Sequence, residues 1–174
     1  QIGKLTQSTN ILTKVKNLST IVGDEMGKSV AMQYLTENYI LTGNHEDLNS
    51  FIDEAIKAAE RVNDTGVVIG IYRAKSWWLM NQGVYHKALL WIKKSWDKVI
   101  QEKHSFVHTS MIHSDYAEYL IMNPKFSCSP PQNDYYQKML KIFALCLVSI
   151  VEGIRFPTVK GYAYRSLSAF LHTL

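Results

Sequence analysis

The chain has 174 residues, of which 47% are hydrophobic, and its 19 basic and 15 acidic residues give a net charge of +4. This length and apolar content support one folded domain and argue against a disordered, collagen-like or disulfide-framework chain. The two cysteines, Cys128 and Cys146, form no C-x-x-C pair. That argues against a zinc ribbon or a thioredoxin-like site and favours an intracellular protein, cytoplasmic or nuclear.

The most apolar run, 142–151, is about half as long as a membrane span must be and is flanked by Lys141 and Glu152. We interpret it as a buried helix and expect no membrane insertion. No charged-then-apolar leader follows Gln1, so we expect the chain to be an excised or processed piece of a longer protein.

Basic residues cluster modestly in one segment, at Lys87, Lys93, Lys94, Lys98 and Lys103. A nucleic-acid binder usually concentrates positive charge on one face and interleaves it with aromatic residues. Here Lys87, Lys94 and Lys98 fit a single solvated helix face, which we favour over a site for an anionic partner. We therefore expect no nucleic-acid partner.

Helical periodicity predicts about eight helices in chain order. Apolar residues at helical steps predict the first over 5–22, and Gly23 followed by Asp24 indicates its end and a fresh N-cap. The remaining seven are predicted at about 25–41, 47–62, 66–80, 85–102, 105–122, 134–154 and 157–174. A Pro-rich and Ser-rich loop is predicted at 123–133, and Pro157 suits the first residue of the last helix.

The sequence repeats when Gly43 is superposed on Gly83, an offset of 40 residues. In the helices that follow, Ile52 then pairs with Ile92, and Ala55 with Ser95. A further step of the same length reaches Asn123. We predict a single domain, 1–174, made of units at about 26–64, 66–104 and 105–154 and an incomplete unit at 157–174.

The second repeat resembles the second half of a tetratricopeptide repeat, since Gly83, Tyr85, Ala88 and Ser95 occupy that family's glycine, aromatic and small positions. The first repeat is similar at Leu35, Thr36, Tyr39, Gly43, Leu48, Ile52 and Ala55. Two features depart from the family pattern. Lys75 stands where an apolar residue is expected, and the closing proline is absent, so the period exceeds the usual ~34 residues.

The resemblance implies an all-α fold of antiparallel helix pairs stacked into a right-handed solenoid, with a concave groove lined by the first helix of each pair. It implies that the residues holding a partner in this groove are Gln33, Glu37, Ile40, Arg73, Trp77, Met80, His113 and Ala117. Arg73 and Trp77 lie four residues apart and share a helix face, a combination common in binding hot spots. An equal alternative is that Trp77 is a core residue capped by Arg73, and because Trp78 is adjacent, which tryptophan faces the groove stays open.

Other side chains are assigned to packing. Small residues are needed where two helix backbones approach closely, and we place there Thr36, Ala55, Ser76, Ala88 and Ser95. Trp91 and Trp96 are expected to pack between repeats.

No catalytic or cofactor motif is found. The segment 23–29 has three residues between its first glycine and the Gly-Lys pair, whereas a phosphate-binding loop needs four. His104, His108 and His113 suggest a metal site at helical spacing, but no cysteine or carboxylate completes a ligand set. We expect no catalytic residue, no metal and no cofactor, and therefore no enzyme.

The function we expect is a protein–protein interaction scaffold that binds a peptide or partner segment in its groove. One alternative is a peptide-sensing receptor or regulator domain, similar to the peptide-pheromone receptors of Gram-positive bacteria. Another is a helical enzyme with an unrecognised site. Because the last unit lacks a polar cap, self-association or packing against missing parts of a longer chain is a further expectation.

Overall fold

A computed structural model of the chain describes residues 2–43 and 46–102 continuously. Beyond them it describes the single residues Met111, Ile112, Asp115, Tyr116, Tyr119, Lys141, Ala144 and Ser168. Its helices are α1 (Ile2–Val22), α2 (Glu25–Thr42), α3 (Leu48–Val62), α4 (Thr65–Asn81) and α5 (Tyr85–Glu102). Each bound lies within three residues of the predicted one, and the two continuous ranges contain no strand. The last three predicted helices and the loop at 123–133 lie largely outside the described residues.

Aspartates lie immediately before the first residues of α2, α3 and α4. Asp24, Asp47 and Asp64 each accept a hydrogen bond from the backbone amide three residues further on. These bonds, 2.9 to 3.1 Å long, satisfy amides that have no partner within the helix. The carboxylates also lie at the positive end of each helix dipole. Local sequence thus fixes where three of the helices start.

Left-handed residues close the helices before each reversal of the chain. Gly43 and Gly83, the pair that superposes in the repeat, have φ values of 66° and 72°. An L side chain is strained at such values, so glycine suits both positions. Gly23 and Asn63, at the ends of α1 and α3, are left-handed too, with φ values of 74° and 56°, so the conformation is common to these helix ends and not specific to the repeat.

The chain divides into two compact units, 1–78 and 79–174, which are described separately. In the first unit α1 packs on α2 and α2 packs on α3. Its fully buried large residues are Met32, Leu35, Ile52, Ile69 and Ile71. The small residues assigned to packing in this unit, Thr36, Ala55 and Ser76, are buried as well.

Polar contacts join neighbouring helices of the first unit. Between α1 and α2, the Asn38 Nδ2 donates to Ser8 Oγ at 3.1 Å and to Thr9 Oγ1 at 3.3 Å. Between α3 and α4, Lys75 Nζ lies 3.0 Å from Asp53 Oδ1. A buried polar group costs free energy unless it finds a partner, so these contacts favour one helix register over others.

In the second unit, α5 buries Ala88, Ile92 and Ser95 on one face. Trp91 and Trp96 are half-buried rather than buried, and the Lys94 ammonium lies 4.1 Å from the centre of the Trp91 ring. The two side chains therefore form a cation–π contact at the surface of the unit.

In the described part of the chain, the basic cluster is consistent with a helix face exposed to solvent. Lys87, Lys93 and Lys94 are exposed and Lys98 is half-buried, while Lys103 lies outside the described residues. Among the described helices, none combines the length and the apolar character that crossing a bilayer requires.

Candidate functional site

The predicted groove residues fall on α2 and α4. Gln33 and Glu37 on α2, and Arg73 and Trp77 on α4, are half-exposed and belong to the first unit. Met80 is also half-exposed on α4 but belongs to the second unit. His113 and Ala117 lie outside the described residues.

Ile40 was predicted to line the groove, and this is wrong because the side chain is buried, with 8% of its surface exposed. It lies one helical turn after Thr36, which is fully buried. Residues four apart share a helix face, so Ile40 follows Thr36 into the core.

The open face of α2 carries two large side chains that sequence reasoning missed. Tyr34 is 50% exposed and Leu41 is 55% exposed. Together with Glu37 they occupy positions i, i+3 and i+7, so the three share one side of the helix. Met26 and Val30 continue this side toward the start of α2. Their spacing of three and four residues from Glu37 is the sequence signal by which they could have been found.

Helices α2 and α4 approach closely at Gly70. A methyl group added to Gly70 would overlap the side-chain amide of Gln33, so that amide lies directly against the α4 backbone. A larger residue at position 70 would require the end of the Gln33 side chain to shift. Arg73 is one turn beyond the contact and Trp77 is the next turn on. The structure thereby brings Gln33 to α4, the helix that carries Arg73 and Trp77.

The two adjacent tryptophans have different surroundings. Trp78 Nε1 donates a 2.9 Å hydrogen bond to Asn49 Oδ1, which holds that indole on the α3 side of α4. Trp77 points about 100° away around the helix and shares its face with Arg73. Trp78 is therefore held toward α3, while Trp77 lies on the side of α4 that carries Arg73.

Electrostatics at the α3–α4 contact are set by burial. Burial of Tyr72, the hydrogen bond to Glu60 Oε1 at 2.6 Å and the charge of that carboxylate together raise the pKa of its phenol to about 12, with burial contributing most. The phenol thus stays protonated in the folded chain. Its hydrogen bond joins α4, which carries Arg73 and Trp77, to α3.

The chemistry of these side chains suits binding. Tyr34, Leu41 and Trp77 offer aromatic and aliphatic surface, and Glu37 and Arg73 add one charge of each sign. Aromatic residues and arginine are enriched in binding hot spots. Within the described part of the chain, no group of three or more His, Cys, Asp or Glu side chains is arranged to hold a metal ion.

No protein-family model matches the sequence, and no curated protein matches it significantly. Among solved structures, the chain is similar to the crystal structure of BtubC (BKLC) from P. vanneervenii, with a TM-score of 0.67 and 13% sequence identity. The match covers 99% of this chain and 65% of that one, so the chain spans just under two thirds of the length of BtubC. At this identity the likeness concerns the fold alone, and it agrees with an all-helical chain.

Proposed function

We propose that the chain is an intracellular interaction module, cytoplasmic or nuclear, that binds a peptide or partner segment on one face of its first unit. This binding face consists of Tyr34, Glu37 and Leu41 on α2 and of Arg73 and Trp77 on α4. The observation that carries the proposal is the side of α2 on which two large, half-exposed apolar side chains flank Glu37. The proposal assigns no catalytic residue, metal or cofactor to the chain.

Exposed apolar surface on this face favours a partner. A single exposed leucine is ordinary in a folded protein. Tyr34 and Leu41, however, lie on one side of α2, and Gln33 on the same helix contacts α4 one turn before Arg73. Apolar surface with polar groups around it is typical of protein interaction sites.

The charges on the face indicate the chemistry of the segment. Arg73 suits a carboxylate of the partner, because the guanidinium donates two parallel hydrogen bonds to such a group. Glu37 suits a lysine or arginine, and Trp77 suits an apolar or cationic side chain. An amphipathic segment with mixed charges fits these contacts best.

The wider architecture in the proposal is a right-handed, tetratricopeptide-like solenoid of about eight helices. Its support is the superposition of Gly43 on Gly83 in the sequence repeat, with both residues at left-handed helix ends of the kind that Gly23 and Asn63 also form. The paired small residues Ala55 and Ser95 are buried in their respective units, as close helix packing in each repeat requires.

The test is affinity capture from a native lysate with three versions of the chain, read by mass spectrometry. They are the wild type, the Arg73→Glu, Trp77→Ala double variant, and Lys57→Glu as a control on the exposed side of α3. Circular dichroism first establishes that all three are equally helical. We expect the wild type and the control to retain a partner that the double variant loses.

A second pair of variants tests the contribution of α2 to binding separately from that of α4. Tyr34→Ala and Leu41→Ala on α2 should weaken capture of the same partner, since both side chains lose exposed contact area without emptying the core. Recovery of identical partners by the wild type and by the α2 and α4 variants would show that binding uses another surface.

A further inference from the structure

A second surface with apolar character lies on α1, apart from the binding face. Ile11, Val15, Leu18 and Val22 are 54%, 40%, 61% and 74% exposed. Their spacing of four, three and four residues places them in one stripe along the helix. Exposed apolar side chains arranged contiguously mark a contact surface more often than scattered ones do.

The stripe is not the side by which α1 joins its own unit. α1 packs on α2 through a neighbouring side, where Ser19 is buried and where Ser8 and Thr9 accept hydrogen bonds from Asn38. The helix is therefore already held in place while the stripe points outward. A docking partner finds it preformed, which lowers the cost of ordering on binding.

The geometry of the stripe fits a helix. Spacing of four, three and four is that of the a and d positions of a heptad, with Val15 and Val22 at one and Ile11 and Leu18 at the other. Ile21, which is 79% exposed and lies three residues after Leu18, widens this stripe toward the end of the helix. α1 contains no Trp, Tyr or Phe, the residues that favour a membrane interface.

The charge on α1 selects an acidic partner. The helix contains Lys4, Lys14 and Lys16 and no aspartate or glutamate. Lys14 is exposed and lies beside the stripe, three residues after Ile11 and four before Leu18. A second copy of the chain would bring lysines together with no carboxylate on either helix to neutralise them.

We propose that the stripe on α1 docks an amphipathic helix of another protein whose apolar seam is flanked by carboxylates. Apolar contact supplies the affinity, and the carboxylates that meet Lys14 set the choice of partner. This surface is separate from the binding face, so the proposal does not depend on the function proposed above.

The probes are two synthetic helical peptides of 21 residues, the length of α1. Both carry Leu and Ile at the a and d positions, and the flanking e and g positions are Glu in one peptide and Lys in the other. Fluorescence anisotropy with the whole chain should show the Glu peptide binding about tenfold more tightly than the Lys peptide. Leu18→Glu should abolish binding, whereas Leu90→Glu, the same change at an exposed leucine of α5, should leave it unchanged.

A charge reversal gives the sharpest check, because it does not touch the apolar contact. Lys14→Glu should reduce or invert the preference for the Glu peptide, and Lys57→Glu on α3 should not. Equal binding of the two peptides, or binding that survives Leu18→Glu, overturns the proposal. So does a wild-type dimer in light scattering that Leu18→Glu makes monomeric, or adsorption to phosphatidylserine vesicles that the Glu peptide does not displace.

Discussion

Lys75 occupies a position at which the tetratricopeptide pattern expects an apolar residue. Its side chain is buried, with 8% of the residue exposed, while its partner Asp53 has 58% of its side chain exposed. A buried ammonium is costly unless a carboxylate compensates for its lost hydration. The ion pair explains how the chain accommodates a lysine there.

Removing the two partners in turn should therefore have unequal effects. Asp53→Ala leaves the buried ammonium without its carboxylate and should lower the free energy of unfolding by about 1 kcal/mol. Lys75→Met keeps the volume and removes the charge, so it should change stability by less than about 1 kcal/mol. In the Lys75→Met background, Asp53→Ala should cost almost nothing. Urea denaturation of the four proteins measures this cycle, and additive effects would show that the pair is not coupled.

Tyr72 predicts a dependence of stability on pH in the alkaline range. The folded pKa of about 12 exceeds the ordinary value of 10.0, so the unfolded chain loses this proton first as pH rises. The free energy of unfolding should be unaffected by this group below about pH 10 and should fall between about pH 10 and 12.

Denaturation midpoints on either side of pH 10 test this assignment to Tyr72. Tyr72→Phe should be less stable at neutral pH, because the bond to Glu60 is lost, and should show a shallower alkaline decline than the wild type. Tyr34→Phe, at an exposed tyrosine, should keep the wild-type slope. A slope unchanged by Tyr72→Phe would assign the decline to other groups.

At the scale of single residues, the sequence predicted which side chains are buried in helix packing better than it predicted which ones are exposed. Thr36, Ala55 and Ser76 were assigned to close helix contacts and are buried. Ile40 was wrongly assigned to the groove, and the exposed Tyr34 was missed. Assigning either residue correctly requires knowing which sides of α2 are covered by α1, α3 and α4. Helical periodicity gives the relative directions of side chains but not the direction in which the neighbouring helices lie.

At the scale of elements, helix ends were predictable because their causes are local. The aspartate caps at Asp24, Asp47 and Asp64 and the left-handed residues at Gly43 and Gly83 act within a few residues of the ends they define. The approach of α2 to α4 depends on residues far apart in sequence. Nothing local indicates that Gly70 lies under Gln33.

The contact between Gly70 on α4 and Gln33 on α2 predicts how substitutions at these two positions affect each other. Glycine in a helix interior is less favourable than alanine by about 1 kcal/mol. In the wild type, however, the methyl group of Gly70→Ala would displace the amide at the end of the flexible Gln33 side chain, so part of this gain should be lost. In a Gln33→Ala background the space is open, and Gly70→Ala should stabilise the chain by about 1 kcal/mol.

Thermal or urea unfolding of the four proteins measures the coupling between the two positions. Ser76→Ala, at another buried position of α4, is the matched control and should show no coupling to Gln33→Ala. If Gly70→Ala had the same effect in both backgrounds, Gln33 would not rest on Gly70 in solution.

On the scale of the whole first unit, burial is unevenly distributed among the helices. α2 has seven buried residues. Among the described side chains of α1, Ser19 alone is buried. Local opening is easiest where few apolar contacts must be broken, so α1 is the helix of this unit that should open most readily.

Hydrogen exchange should resolve this difference by mass spectrometry. We expect amides of α1 to exchange faster than those of α2 by at least a factor on the order of ten. Asn38→Ala should speed exchange in α1 further while leaving α3 unchanged, because it removes the bonds to Ser8 and Thr9. The Glu peptide should slow exchange in α1, since a helix docked on Leu18 and its neighbours must dissociate before α1 opens. If α1 and α2 exchange at one rate, the unit opens only as a whole, and the stripe lies on a helix as stable as its core.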